Sequence, residues 1–264
     1  HRDLHSFPTR RSSDLRRSFD LSDSAVEDMD EHVLTRLRQE LIEGIDEKTR
    51  DGASRFFKEE VKFYGVKSSL VRKIATKYFR EIKGRDKGKI FTLCEELLRS
   101  DYGEEAFIAY ECAYSLRSQY EPSDFTIFEG WLERYVNNWA KCDTLCNHTL
   151  GSFIELYPQY MEKLFGWARS DNRWVRRASA VTLILPARRG DFLPEAFMIA
   201  DILLLDKDDM VQKGYGWLLK EASRAHQDQV FDYVMKNKAV MPRTSLRYAI
   251  EKMPAELRRK AMER

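Results

Sequence analysis

The feature that most limits what this chain can fold into is the recurrence of apolar residues at intervals of three and four, nearly unbroken from about Ala25 onward. An α-helix turns about once every 3.6 residues, so this interval lines one side of a helix with apolar groups. Val33, Leu34, Leu37 and Leu41 form one such stripe. Leu70, Val71, Ile74, Ala75, Tyr78 and Phe79 form another, preceded by Ser68 and Ser69 as candidate N-caps. Further helices are predicted over 90–99, 104–117, 122–136, 143–156, 158–168, 173–185, 194–204, 209–225, 228–235, 242–252 and 254–262, with 84–88 as a charged turn. Pro122, Pro158, Pro194, Pro242 and Pro254 each fall where a first helical turn is expected. Short breaks make successive helices antiparallel neighbours. The rhythm of pairs, about 35 to 45 residues long, predicts an all-α fold, an α-solenoid of antiparallel HEAT-like helix pairs in a single domain over 25–264. A compact, irregular helical domain is the alternative.

Composition narrows the function. Charged residues make up 33% of the 264, and 45 Lys and Arg stand against 43 Asp and Glu, for a net charge of +2. That total argues against a strongly cationic nucleic-acid binder until it is divided along the chain. Residues 172–264 carry 18 basic and 12 acidic groups, whereas 16–171 carry 24 and 29. The rear third is therefore basic. No apolar stretch reaches the roughly 18 residues of a membrane span, and four Cys in a chain of this length read as reduced thiols, which points to the cytoplasm. The opening HRDLHSFPTRRSSDL has neither helical nor strand period and resembles a translated sequencing-library adapter. On that reading residues 1–15 are not native and 16–24 are a partial leader.

Three clusters could carry chemistry. In Asn137-Asn138-Trp139-Ala140-Lys141-Cys142-Asp143, a helix reaching back to Trp139 would set Trp139 and Asp143 on one face. The plain alternative is a core-edge Trp beside a capping or solvated Asp. In Asp171-Asn172-Arg173-Trp174-Val175-Arg176-Arg177, arginines three and four apart could form a phosphate-binding edge or a solvated face. In Gln212-Lys213-Gly214-Tyr215-Gly216-Trp217, two glycines interrupt a good helical pattern, at about 1 kcal/mol each relative to Ala. Close packing, or close approach of another group, would offset that cost and leave Trp217 prominent. Cys142, Cys146 and His148 lack a fourth ligand for a closed zinc site, and neither a GxSxG elbow nor a phosphate-binding loop occurs. No metal or cofactor is expected. Asp143 is the best lone catalytic candidate.

Together with FYGVKSSLVRK and MPRTSLRYAIEKM, these clusters resemble, in order and spacing, the DNA alkylation repair family in its AlkD-like branch of HEAT-repeat alkylpurine DNA glycosylases. The resemblance runs from about Ala53 to Pro254. It implies Asp143, Trp139 and Trp217 as catalytic residues and Arg177 as a DNA-gripping arginine. Ser68 and Arg72 would touch the backbone, with Arg176, Lys213, Arg243 and Arg247 as further DNA contacts. Phe56 stands where the family's best-known member has Tyr, so the aromatic face is kept and a hydroxyl is lost. Ser69 replaces a Pro after the GVKS turn. The partner implied is duplex DNA bearing cationic alkylated purines, met from the backbone side without a base pocket. A monomer with no membrane association is expected. Two other readings stand beside this one: a non-catalytic HEAT-like protein that binds damaged or branched DNA, and a helical scaffold for protein partners.

Overall fold

A computed structural model describes residues 31–263, so the proposed adapter and leader lie outside the described residues. Among these residues the regular secondary structure is all helical, with isolated bridges at Ile45 to Val66 and Lys62 to Tyr102. The first helix, α1, covers 31–43 and buries Val33, Leu37 and Leu41. There follow α2 (Glu47–Ala53), α3 (Ser68–Ile82), α4 (Lys87–Arg99), α5 (Gly103–Ser115), α6 (Asp124–Tyr135), α7 (Trp139–Thr144), α8 (Gly151–Leu156) and α9 (Met161–Trp167). The rear comprises α10 (Arg173–Val181), α11 (Ile184–Arg189), α12 (Leu193–Leu203), α13 (Asp209–Ala222), α14 (Gln227–Asn237), α15 (Arg243–Ile250) and α16 (Ala255–Met262).

Packing sorts these helices into two rows. One runs α3, α5, α7, α10, α13, α15, each against the next, and a second set, including α4, α6, α9, α12 and α14, packs behind it. This is the helical-repeat arrangement that the rhythm of helices and prolines predicts. Each helix is too short to stand alone, so its stability comes from the apolar face it buries against its neighbours. Trp131, Phe128, Phe153, Tyr78, Tyr110 and Tyr215 are fully buried along that seam.

Three local expectations change. Ser68 is the first residue of α3 and not its cap; Lys67 holds the cap position without a side-chain bond, and Leu70 turns outward. The helix expected over 143–156 begins four residues earlier, because the Asn138 side chain accepts from the Lys141 amide at 3.1 Å and caps α7. It then passes through a π-helical turn, Leu145–Leu150, before α8. The run expected over 173–185 breaks after Val181 into α10 and α11.

The two α13 glycines have separate packing reasons. A Cβ at Gly216 would lie 2.7 Å from the Tyr248 Cβ and 2.9 Å from the Ser245 carbonyl oxygen, both on α15. One at Gly214 would lie 3.2 Å from the Arg177 Cγ. The neighbours of Gly216 are backbone or Cβ atoms that cannot rotate away. Gly216→Ala gains about 1 kcal/mol of helix propensity, but with contacts this short to atoms that cannot yield, the overpacking cost falls at the upper end of its usual range, about 2–3 kcal/mol, for a net loss of about 1–2 kcal/mol. The expected result is a melting temperature lower by about 2–6 °C in calorimetry; an unchanged or higher value would show that α13 and α15 can separate.

Candidate active site

The row from α7 to α15 builds a cleft of about 450 Å³. Because α7 starts at Trp139, the four-residue spacing holds, and Trp139 and Asp143 both line it. α10 contributes Arg177, α13 contributes Met210, Lys213, Trp217 and Lys220, and α15 contributes Tyr248. The segment after α2 reaches across from the front of the chain with Phe56, Lys58 and Glu59. It is tied down at both sides. The Trp139 Nε1 donates to the Phe56 carbonyl at 3.3 Å, and the Phe57 ring stacks on Trp139 with centroids 5.2 Å apart. Lys58 Nζ lies 2.7 Å from Asp209 Oδ2, and Glu59 pairs with Arg173 at 3.5 Å.

At the cleft floor Arg177 forks onto Asp143. Nε donates to Oδ1 and Nη2 to Oδ2, each at 2.9 Å, while Nη1 donates to the Met210 carbonyl at 2.5 Å. The Arg177 side chain is only 5% exposed and that of Asp143 15%. Burial raises the Asp143 carboxyl above the ordinary aspartate range, and the charge and hydrogen bonds of Arg177 pull the other way without fully offsetting it. Burial likewise disfavours the Arg177 cation, but Asp143 more than compensates and its pKa ends raised. Both carboxyl oxygens accept N–H groups from Arg177, which favours the charged form against the burial.

Every guanidinium nitrogen of Arg177 is thus engaged within the protein, and its place is behind Asp143, not at the surface where a phosphate would meet it. Arg176 also faces away from the cleft, with its guanidinium on Asp206 and on the Ser170 and Asp171 carbonyls. Lys213 and Trp217 are in the cleft, and Lys213 shares Asp209 with Lys58. Phe56 is 76% exposed at the rim. Ser68 and Arg72 line a separate cavity beyond Trp139. Arg243 and Arg247 are exposed on α15, outside the cleft lining. Cys142 and Cys146 are buried in the core.

Sequence reasoning missed Phe57, Lys58, Lys220 and Tyr248. For Lys220 a signal was present, since 213, 217 and 220 fall at helical spacing on one face. Of the charged residues lining the cleft, Lys58, Arg177, Lys213 and Lys220 are cationic and Glu59 and Asp143 anionic; Lys58 and Lys213 share Asp209, and Lys220 pairs with Glu251 at 3.1 Å, so an anion would meet three lysines by displacing their carboxylate partners. Supporting α7 from below, Lys141 is buried and bonded to Asp101, which sits in the left-handed region at φ 66° and also accepts from Asn137 at 2.8 Å.

The chain matches the DNA alkylation repair enzyme family over residues 37–253 and belongs to it. It is a protein of DNA repair, and the family implies DNA as its substrate. A solved structure of a predicted DNA alkylation repair enzyme from Enterococcus faecalis superposes with a TM-score of 0.70 at 16% identity, covering 80% of this chain and 97% of that one; at such identity it shows a shared fold. No curated protein matches.

Arg177 supplies all the influences that lower the Asp143 pKa. Arg177→Gln leaves burial alone, so the carboxyl titration followed by NMR is expected to move to higher pH than in the wild type. A carboxyl raised in the folded state contributes stability below its unfolded pKa and loses it as pH rises through the folded value, so the variant is also expected to lose stability as pH increases from acid to neutral. An unmoved titration would mean that Arg177 does not hold Asp143 charged.

Proposed function

We propose that this protein is a monofunctional DNA glycosylase that hydrolyses the N-glycosidic bond of cationic alkylated purines, of the 3-methyladenine and 7-methylguanine type, in duplex DNA. The observation that carries the reading is a buried carboxyl group, held on both oxygens by a guanidinium, at the floor of a cleft with aromatic walls and a cationic rim. The reading needs no cofactor and a single copy of the chain.

An N3- or N7-alkylated purine already carries positive charge and leaves without a general acid. As the bond between C1′ and the base nitrogen breaks, its electron pair neutralises the purine and the sugar becomes oxocarbenium-like. Asp143 stabilises that cation and orients the water whose oxygen forms the new bond to C1′. The water's proton passes to the carboxylate or to solvent, leaving a neutral base and an abasic site. Trp139 and Trp217 present electron-rich faces to the cationic nucleotide. Lys58, Lys213 and Lys220 hold phosphates near the rim.

The ion pair sets the size of the effect. A lone carboxylate about 4 Å from the cation, at an effective dielectric near 20, would attract it by about 4 kcal/mol. With Arg177 about 3 Å further back, its repulsion reduces the net to about 2 kcal/mol, a factor of about thirty in rate. Asp143→Asn is therefore expected to slow release of 7-methylguanine or 3-methyladenine from methylated DNA by about ten- to a hundredfold in single turnover. An inactive wild type or an undiminished variant would sink the assignment. An inactive wild type that still binds DNA with strong salt dependence would instead be a non-catalytic damage binder.

A further inference from the structure

Among the described residues, Tyr248 is the one polar side chain lining the cleft whose polar atom has neither a hydrogen-bond nor an ion-pair partner. We infer that its hydroxyl donates a hydrogen bond to a backbone phosphate of the bound strand, which makes Tyr248 a substrate-binding residue; the inference rests on reading the cleft as the DNA site.

Each of the other polar groups has a partner within the protein. Asp143 and Arg177 hold each other, and the indole N–H groups of Trp139 and Trp217 donate to the Phe56 carbonyl and to Glu221 at 3.3 and 3.4 Å. Lys58 and Lys213 share Asp209, Glu59 meets Arg173, and Lys220 Nζ lies 3.1 Å from Glu251. Tyr248 has no partner to give up. A phenol hydroxyl has one proton to donate. In a cleft that takes DNA, the acceptors most often met by such side chains are phosphate oxygens.

The fold sets where that hydroxyl stands. α15 packs so closely on α13 that a Cβ at Gly216 would lie 2.7 Å from the Tyr248 Cβ, and the ring therefore emerges beside the α13 residues of the cleft. Lys220 Nζ lies over that ring, 5.4 Å from its centroid. The ring is half-buried and held in place before DNA arrives, so little ordering cost opposes the contact. The ammonium and the hydroxyl are near enough to meet one phosphate group between them, the lysine through charge and the tyrosine through direction. In the row of helices α10 and α13 stand between α7 and α15, so Tyr248 meets the strand away from the carbon that Asp143 faces. That position separates it from the attacking water and assigns it to the backbone.

The test uses the whole chain and a duplex carrying a tetrahydrofuran analogue of the abasic sugar, with affinity followed by fluorescence anisotropy over a range of salt. Tyr248→Phe keeps the ring against Lys220 and removes only the hydroxyl. It is expected to weaken binding by about ten- to a hundredfold, the range of a hydrogen bond to a charged group. Its slope of log affinity against log salt is expected to match the wild type, because a neutral hydroxyl releases no counterion, whereas Lys220→Met should reduce that slope by about one. Uncharged methylphosphonates then replace the phosphates around the analogue one at a time. At one linkage the ratio of wild-type to Tyr248→Phe affinity is expected to fall to about one, and at the others to persist. A variant that binds like the wild type overturns the inference. So does a ratio that persists at every linkage, the result of a merely structural role, and so does a reduced slope in Tyr248→Phe, which would mean that the tyrosine acts only by placing Lys220. A wild type that shows the expected effects yet releases no methylated base contradicts the glycosylase reading alone.

Discussion

The buried pair of Asp143 and Arg177 is the constraint around which the rest of the site is organised. Removing two charges from water costs several kcal/mol per ion, and only good geometry with further hydrogen bonds offsets this. The structure provides both, through the two-pronged fork and the Met210 carbonyl. The pair therefore dictates three helix positions at once. α7 must present Asp143, α10 must turn Arg177 inward, and α13 must bring Met210 up while Gly214 leaves room for the arginine stem. Replacing such a pair with apolar groups is often neutral or stabilising. Its presence at a cleft floor is thus better explained by the chemistry of a held carboxylate than by stability.

The solenoid supplies what the pair needs. Because α7, α10, α13 and α15 stand in one row, side chains far apart in sequence share one surface, and each helix is fixed by its neighbours. Close approach of α13 to α15 at Gly216 brings Tyr248 to the cleft beside Trp217 and Lys220. The segment 56–59 closes the other side. It is attached by a tryptophan hydrogen bond, a ring stack, a partly buried pair of Glu59 with Arg173 and an exposed pair of Lys58 with Asp209, and exposed pairs contribute little stability in water. A polyanion that draws Lys58 and Lys213 away from Asp209 would meet little resistance there.

Much of this was legible in the residues, and the limits are physical. Helical period and proline placement identified the repeat fold, because both are local. Trp139 and Asp143 could be paired from their spacing once the helix start was known. That start depended on Asn138 acting as the cap, where sequence pointed further along. Arg176 and Arg177 were indistinguishable by pattern; about 100° of helical rotation separates them, and only the position of neighbouring helices decides that one faces Asp143 and the other Asp206. Phe57 escaped notice beside Phe56 for a similar reason, since its stack on Trp139 joins segments more than eighty residues apart. The glycines of α13 signalled close packing, and the structure names the partners.

The central claim is that Arg177 acts through Asp143 and not on its own. A double-mutant cycle in single-turnover base release, with Asp143→Asn, Arg177→Met and the two combined, tests it most directly. If Arg177 serves only to hold the carboxylate, the combined variant should be no slower than Asp143→Asn alone. Losses that multiply would show that Arg177 makes an independent contact, such as one to phosphate, and would contradict the account.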